Sequence, residues 1–488
     1  MWMLLVSLMS TDANAAGYYT SDVGVRSFSR GGAYVAGASD MLALWYNPAA
    51  LTRLGDGVVT VDAAGVWQSV SFDRADYPGE GPLDDAGQPT DLINPPIENT
   101  APAYVIPHMG AAWNFGLPNT VFAVGFYPPY APDLAFPEDG PQRYSLIDTL
   151  IIQTFTGASV AHRFGDWVSI GGGASWNYLR VEQVLAVSVP ANTTDPTSNE
   201  DPQYDVRFRM DGRDKGGLGL NAGMLIEPPS NRWAVGMMYQ APIKFTGVGF
   251  MEADFSDNFF RTDETLGIIA ADTARDNNVT FDVSMPPILK MGALVRPIDT
   301  LEIELAAVWE GWSVIDEIVI QQVDMTVPVD EDNSVASALG IESIDINEDI
   351  VLPAGYTDTW SVRLGGEWLI GERASVRAGG MWEQGAIPPA SRGVSLLDGD
   401  KWGYGLGGTF QAHKRVAVDV GWFQSFMREV EITDSTLESI TLNWQTGEII
   451  PGRNVGNGKL AASAMMFGAG VNYAFGKNPE TIRSLGHD

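Results

Sequence analysis

The stretch Gly17–Leu54 reads GYYTSDVGVRSFSRGGAYVAGASDMLALWYNPAALTRL and closes on Trp45-Tyr46-Asn47-Pro48-Ala49-Ala50. Small residues stand wherever backbone must approach backbone, and neither a helical nor a strand period is sustained. Pro48 fixes its own φ and forces Asn47 into an extended conformation, so Asn47-Pro48-Ala49 is a rigid bend. The Asn side chain is then free to satisfy nearby backbone groups. Such a segment is built to be packed inside something else. It predicts a plug, and the rest of the chain must supply the vessel.

The remaining sequence reads as strands. Fifty-four glycines and fifteen tryptophans among 488 residues suit many short strands better than helices, because an interior Gly costs a helix about 1 kcal/mol. Along Leu301–Trp309 one face carries Leu301, Ile303, Leu305, Ala307 and Trp309; the other carries Glu302, Glu304, Ala306 and Val308. Val416, Val418, Val420 and Trp422 alternate with Arg415, Ala417, Asp419 and Gly421 in the same way. Aromatics end the apolar faces, as in the interfacial girdle of a membrane barrel, and charges of both signs occupy the opposite face.

Strands are expected at about 57–72, 101–115, 119–128, 149–164, 166–184, 204–227, 231–246, 279–296, 299–313, 357–370, 373–384, 401–411, 414–427 and 460–475. Every second connection is very short, among them Gly116-Leu117-Pro118, Gly165 and Gly371-Glu372, and the others are long. Short turns on one side and long loops on the other are the construction of bacterial outer-membrane barrels. The fold class expected is all-β: a 14-stranded antiparallel transmembrane β-barrel with an N-terminal plug, or hatch, in its lumen. Residues 1–16 read as a signal peptide, with a small-x-small site at Ala13-Asn14-Ala15 but no basic residue before Arg26. Residues 17–56 are the hatch, 57–475 the barrel, and 476–488 a periplasmic tail.

Composition excludes several function classes. There is no cysteine, so no thiol nucleophile or Cys-ligated metal. A net charge of −32 repels nucleic acid. Ten acids and no Lys or Arg fall in Val314–Tyr356, which reads as a solvated loop or as a site for cation bridges to anionic lipid. His108, His162, His413 and His487 form no nucleophile–base pattern. Gly403-Tyr404-Gly405-Leu406-Gly407-Gly408 precedes no helix, so it is no nucleotide loop. No catalytic residue, metal or cofactor is expected.

The plug stretch, with Asn47-Pro48-Ala49 after Gly31-Gly32-Ala33 and Ala36-Gly37-Ala38, resembles the hatch of the FadL-type outer-membrane transport proteins, a family with an aromatic-hydrocarbon (TodX-like) branch. Pro286-Pro287-Ile288-Leu289-Lys290-Met291-Gly292, Trp309-Glu310-Gly311-Trp312, Tyr356-Thr357-Asp358-Thr359-Trp360 and Asp398-Gly399-Asp400-Lys401-Trp402 are similar to the family in the same order. The resemblance implies a monomer in the outer membrane of a Gram-negative bacterium, among lipid and lipopolysaccharide. It implies passive uptake of a hydrophobic small molecule by loop capture, hatch rearrangement and sideways release through a kink in the third strand.

For the kink, Gly125, Pro128 and Pro129 are the candidates, since proline removes a ladder donor and glycine weakens a strand; the prolines equally suit the start of an outer loop. For capture, Phe250, Phe255, Phe259, Phe260, Leu266, Ile268 and Ile269 make a loop of unusual apolar density, although they also suit a loop packed on itself. Lys290 or Arg143 would hold a fatty-acid carboxylate unless each is paired with an acid. The alternative is a porin, or a surface receptor or adhesin without hydrophobic transport.

Overall fold

The computed structural model of the chain describes residues 22–476 except 80, 82–87, 89, 190–199, 265, 316, 354 and 443–448. The signal segment 1–16, the first residues of the plug stretch and the tail after Gly476 lie outside the described residues.

Alternation in the sequence becomes a closed ring. Its strands are β1 Gly57–Arg74, β2 Tyr104–Trp113, β3 Thr120–Tyr130, β4 Asp148–Phe164, β5 Val168–Ser188, β6 Asp205–Ile226, β7 Trp233–Gln240, β8 Ile288–Ile298, β9 Leu301–Glu310, β10 Thr359–Ile370, β11 Ala374–Glu383, β12 Lys401–His413, β13 Val416–Ile432 and β14 Gly458–Ala474. Each pairs antiparallel with the next. β14 returns to β1, from Val58↔Ala474 to Arg74↔Gly458, so the ring has no free edge. Glu302, Glu304, Ala306 and Val308 of β9 point inward and are buried, whereas Ile303 and Leu305 point outward. Exposed aromatics form two belts: Trp113, Phe164, Trp167, Trp233, Trp368 and Phe410 near the short turns, and Trp67, Trp176, Tyr239, Trp360 and Trp402 nearer the long connections. Several short turns carry a glycine at positive φ, such as Gly165 at 59° and Gly371 at 64°.

The long connections hold more order than the sequence predicts. The expected strand 231–246 is two, because Ala241-Pro242 divides β7 from Ile243–Asp254. Likewise Pro286-Pro287 divides Thr273–Met285 from β8. The acidic segment is no simple loop. Glu317–Pro328 and Ser343–Pro353 pair as a hairpin around the short helix Ser334–Leu339, which ends on Gly340 at positive φ. Its apolar positions Met325, Val327, Ile344 and Ile346 are buried, an alternation hidden in the sequence by the acids between them.

Inside the ring the chain from Asp22 to Leu51 is buried almost without exception. It contains two single-turn helices, α1 Val25–Phe28 and α2 Ala43–Tyr46, and the 3₁₀ turn Pro48–Arg53.

Candidate functional site

The Asn47 bend joins this inner segment to the wall. Asn47 has φ −168° and ψ 103°, the extended form the following proline requires. Its Oδ1 accepts the Ala49 N–H at 3.1 Å and caps the 3₁₀ turn, while Nδ2 donates to Val35 O at 3.2 Å and Met224 O at 3.0 Å. The bend sits on glycines from three successive strands. A Cβ added at Gly171 of β5 would lie 2.5 Å from Pro48 C, at Gly223 of β6 2.2 Å from Asn47 Oδ1, and at Gly236 of β7 2.8 Å from Val35 O. Sequence reasoning named Asn47, Pro48 and Ala49 but missed their seat. The available signal was glycine inside strands, which marks close approach of another backbone.

Toward β9–β13 the inner segment is held by charge. Arg30 meets Glu302 at 2.5 Å and Glu304 at 3.4 Å. Glu304 also accepts three consecutive backbone N–H groups, from Val35 at 2.7 Å, Ala36 at 2.6 Å and Gly37 at 2.9 Å. Arg26 and Arg377 share Asp419, each at 3.0 Å. Asp22 pairs with Arg363, which also reaches Glu383 at 2.9 Å. All of these side chains are buried.

Toward β3–β8 the contacts are mostly apolar and aromatic, with one ion pair, Arg53 to Glu227 at 2.7 Å, tying the end of the 3₁₀ turn to the foot of β6. Trp45 packs on Tyr127 and Phe155, with ring centres 5.6 and 5.4 Å away, and Tyr127 stacks on Phe155. Gly125 leaves room for Met41 and Leu44, to which an added Cβ would be 2.5 and 2.8 Å. The β2–β3 ladder ends at Met109↔Phe126, leaving Tyr104–His108 and Tyr127–Tyr130 unpaired with each other. Pro128 and Pro129 lie within β3, at a register shift in its ladder to β4 between Tyr127 and Tyr130, and are buried. They are therefore strand residues and not the start of a loop.

Among the capture candidates, Phe255, Phe260, Ile268 and Ile269 are buried in one apolar cluster. Phe259 packs on Tyr204 and Phe260, with centres 5.0 and 5.6 Å away. Leu266 is exposed. Phe250 stands apart on the strand Ile243–Asp254, with the Arg275 guanidinium 3.5 Å over its ring. Of the two cations, Arg143 is engaged by Asp205 at 2.5 Å. Lys290 Nζ is buried 3.9 Å from the Trp45 ring centre and donates to Trp45 O at 3.2 Å, and no carboxylate among the described residues lies within 4.0 Å of it. A separate cavity of about 110 Å³ lies inside β1, β13 and β14, lined by Val70, Leu134, Val394, Met427, Ala462 and Lys401 among others.

The family described as outer membrane protein transport protein (OMPP1/FadL/TodX) matches residues 6–475. The chain belongs to this family. Its members are outer-membrane transport proteins, which agrees with the closed 14-stranded ring. A long-chain fatty acid transport protein of Escherichia coli O6:H1 is 21% identical over 298 residues, 61% of this chain and 57% of that protein. Outer membrane protein P1 of Haemophilus influenzae is 22% identical over 65% of this chain and 64% of its own length. The chain thus spans less than two thirds of these curated relatives. Among solved structures, a Pseudomonas aeruginosa FadL homologue superposes with TM-score 0.71 at 17% identity, covering 94% of this chain and all of its own. The Pseudomonas putida toluene transporter TodX superposes with TM-score 0.61 at 12% identity, covering 96% and 100%. At these identities the likeness of this FadL-type chain to both is one of fold.

Proposed function

We propose that the chain carries hydrophobic small molecules, long-chain fatty acids or hydrocarbons, passively across the outer membrane. One observation carries this reading: a single apolar cluster runs from Phe255, Phe260, Ile268, Met325 and Ile344 in the long connections, past Trp312 and Tyr356, to Phe155, Tyr127 and the inner segment's Trp45. A water-filled pore would need polar lining along that line. In this reading Phe255, Phe259, Phe260, Leu266, Ile268 and Ile269 capture the solute; Phe250, under Arg275 on the outer face, does not. Residues 17–56 act as the hatch and 57–475 as the barrel.

Release is sideways, between β2 and β3, where Gly125, Pro128 and Pro129 weaken the ladder. Lys290 is the better carboxylate partner, because Arg143 is already neutralised by Asp205. The protein works as a monomer surrounded by lipid and lipopolysaccharide. A porin would need an open lumen, and the burial of Asp22–Leu51 within the ring supports the transport reading over that one.

The test is uptake of radiolabelled oleate and toluene by cells lacking their own fatty-acid transporter. Intact protein should import at least one of them, and a variant with Asn47→Ala and Pro48→Ala should lose that import at equal surface expression. A folded, surface-expressed intact protein that imports neither, or that conducts ions freely in planar bilayers, would overturn the reading.

A further inference from the structure

The wall has a second interruption. β6 pairs with β7 up to Asn221↔Gln240, and pairs again with the continuing strand Ile243–Asp254 from Arg213↔Val248 upward, in the same register. Between those points no ladder pair joins them. The remaining ties are Ala241 N–H to Leu220 O at 2.9 Å and Thr246 N–H to the Asp214 carboxylate at 2.7 Å.

Burial shows why the ladder fails. In β7 the inward residues are Ala234, Gly236, Met238 and Gln240; past Pro242 they are Ile243, Phe245 and Gly247, so the alternation changes phase at Ala241-Pro242. β6 changes phase too, but at Lys215-Gly216: Gly217 and Gly219 are inward below it, Phe208, Met210 and Gly212 above it. The two changes sit at opposite ends of the interval. Along residues 214–219 and 242–247, above the Ala241–Leu220 hydrogen bond, an inward residue of one strand therefore faces an outward residue of the other, and no ladder pair forms. Above and below, both strands are back in phase and pairing resumes. Pro242 removes one donor besides.

Side chains alone close this slit. The Phe245 ring covers Gly217, where an added Cβ would be 2.4 Å from Phe245 Cε1, and Ile243 covers Gly219. Both Phe245 and Ile243 belong to the apolar cluster that contains Trp45 and Phe255. Outside stand Leu218, 65% exposed, Leu220 and Tyr239. A tilted strand climbs about 2.5 Å per residue, so the slit begins roughly 20 Å above the Trp233 belt, near the top of an apolar band about 25 Å tall. It thus connects the luminal cluster with the outer leaflet: the inner face is apolar, and the outer face is apolar at its lower end, at Leu218, Leu220 and Tyr239, with Lys215, Lys244 and Thr246 exposed above them.

We propose that this slit is a second lateral port, through which an alkyl chain or hydrocarbon passes between the outer leaflet and the luminal apolar track when Phe245 swings off Gly217. The proposal rests on the transport reading above. It differs from release between β2 and β3 in height and in cause, being a phase mismatch between two strands and not the fraying of one.

Because the chain has no cysteine, the test is clean. Cells expressing Gly217→Cys with Phe245→Cys are assayed for oleate and toluene uptake before and after treatment with a short bis-alkylating thiol reagent, beside intact protein given the same reagent. Bridging the slit should cut uptake several-fold, with no change in the intact protein. Unchanged uptake after complete bridging would overturn the port while leaving transport standing; no uptake by intact protein would instead remove the transport reading. A second measurement is independent of net transport and of how well the cysteine pair folds. A diazirine fatty acid, in membranes containing Phe245→Ala or intact protein, should label the inward Ile243 and Trp45, more in the variant. Label confined to the outward Leu218 and Leu220 in both would overturn the port.

Discussion

The two halves of the plug's seat differ in what binds them. Toward β9–β13, Arg26, Arg30 and Asp22 meet Asp419, Glu302, Glu304 and Arg363 as buried, hydrogen-bonded ion pairs. Toward β3–β8, Met41, Leu44, Trp45 and the Asn47 bend lie on Tyr127, Phe155 and the glycine seats. Backbones approach closely on both sides: the Arg30 carbonyl would be 2.2 Å from a Cβ at Gly365, as Pro48 is close to Gly171. The energetics still differ. Separating a buried ion pair leaves a charge uncompensated, at about 3–5 kcal/mol, whereas apolar surfaces slide past one another as long as they stay covered. The charged half should remain fixed while the apolar half moves, and the apolar half is the one facing both interruptions of the wall.

The largest effect should follow from attacking the fixed half. Glu304→Ala removes an Arg30 partner and the acceptor for three backbone N–H groups, a loss of about 3–5 kcal/mol. The barrel ladder is untouched. The expected result is a ring that still migrates as folded on electrophoresis without boiling but conducts ions in planar bilayers. A silent Glu304→Ala channel would mean the clamp is not what seats the plug. On the mobile half, Asn47→Ala removes three hydrogen bonds, about 2–3 kcal/mol, and should raise conductance less than Glu304→Ala while reducing solute uptake more. The reverse order in both assays would reverse which half moves.

How much of this was legible in the sequence follows from which signals are local. Alternation along Leu301–Trp309 and the ordering of short and long connections made the ring readable, because a strand writes its two faces into adjacent residues. The burial of the inner segment is consistent with the absence of any period and with the Asn-Pro bend. What was not readable is the partner of each inner group. Arg30 and Glu304 stand 274 residues apart, and nothing local in either says that they meet. Nor did Pro242 and Lys215-Gly216 declare a slit, since each is an ordinary phase change and only their difference in height unpairs the strands. Nor is Phe250's place legible: it is five residues from Phe255 in sequence but lies within the strand Ile243–Asp254, under Arg275.

Lys290 sharpens the comparison from the ligand's side. It lies on the apolar half, where its amine rests on Trp45 and Tyr46 with no carboxylate among the described residues in ion-pair contact. Lys290→Met keeps the stem volume and removes the charge. Oleate uptake should fall by up to about tenfold, equivalent to about 1.4 kcal/mol, with toluene uptake unchanged. Equal losses of both solutes would make Lys290 a packing residue of the plug.

The smallest effect belongs to the boundary between the halves, at Asp40. Burial pushes this carboxyl up to about 6, with Asp62 and Asp419 adding to the shift and Arg26 opposing it. A carboxyl raised in the folded state favours the seated plug fully below its ordinary value and loses that contribution as pH rises through 6. Between pH 5.5 and pH 7.5 the change amounts to about 1 kcal/mol, so brief conductance openings should be several-fold more frequent at pH 7.5. Asp40→Asn fixes the neutral form and should open no more often than the intact protein at pH 5.5, with the same frequency at both values. If the intact protein opens equally often at the two pH values, Asp40 does not lie on the moving boundary, and the hinge between the halves must be sought nearer the Asn47 bend.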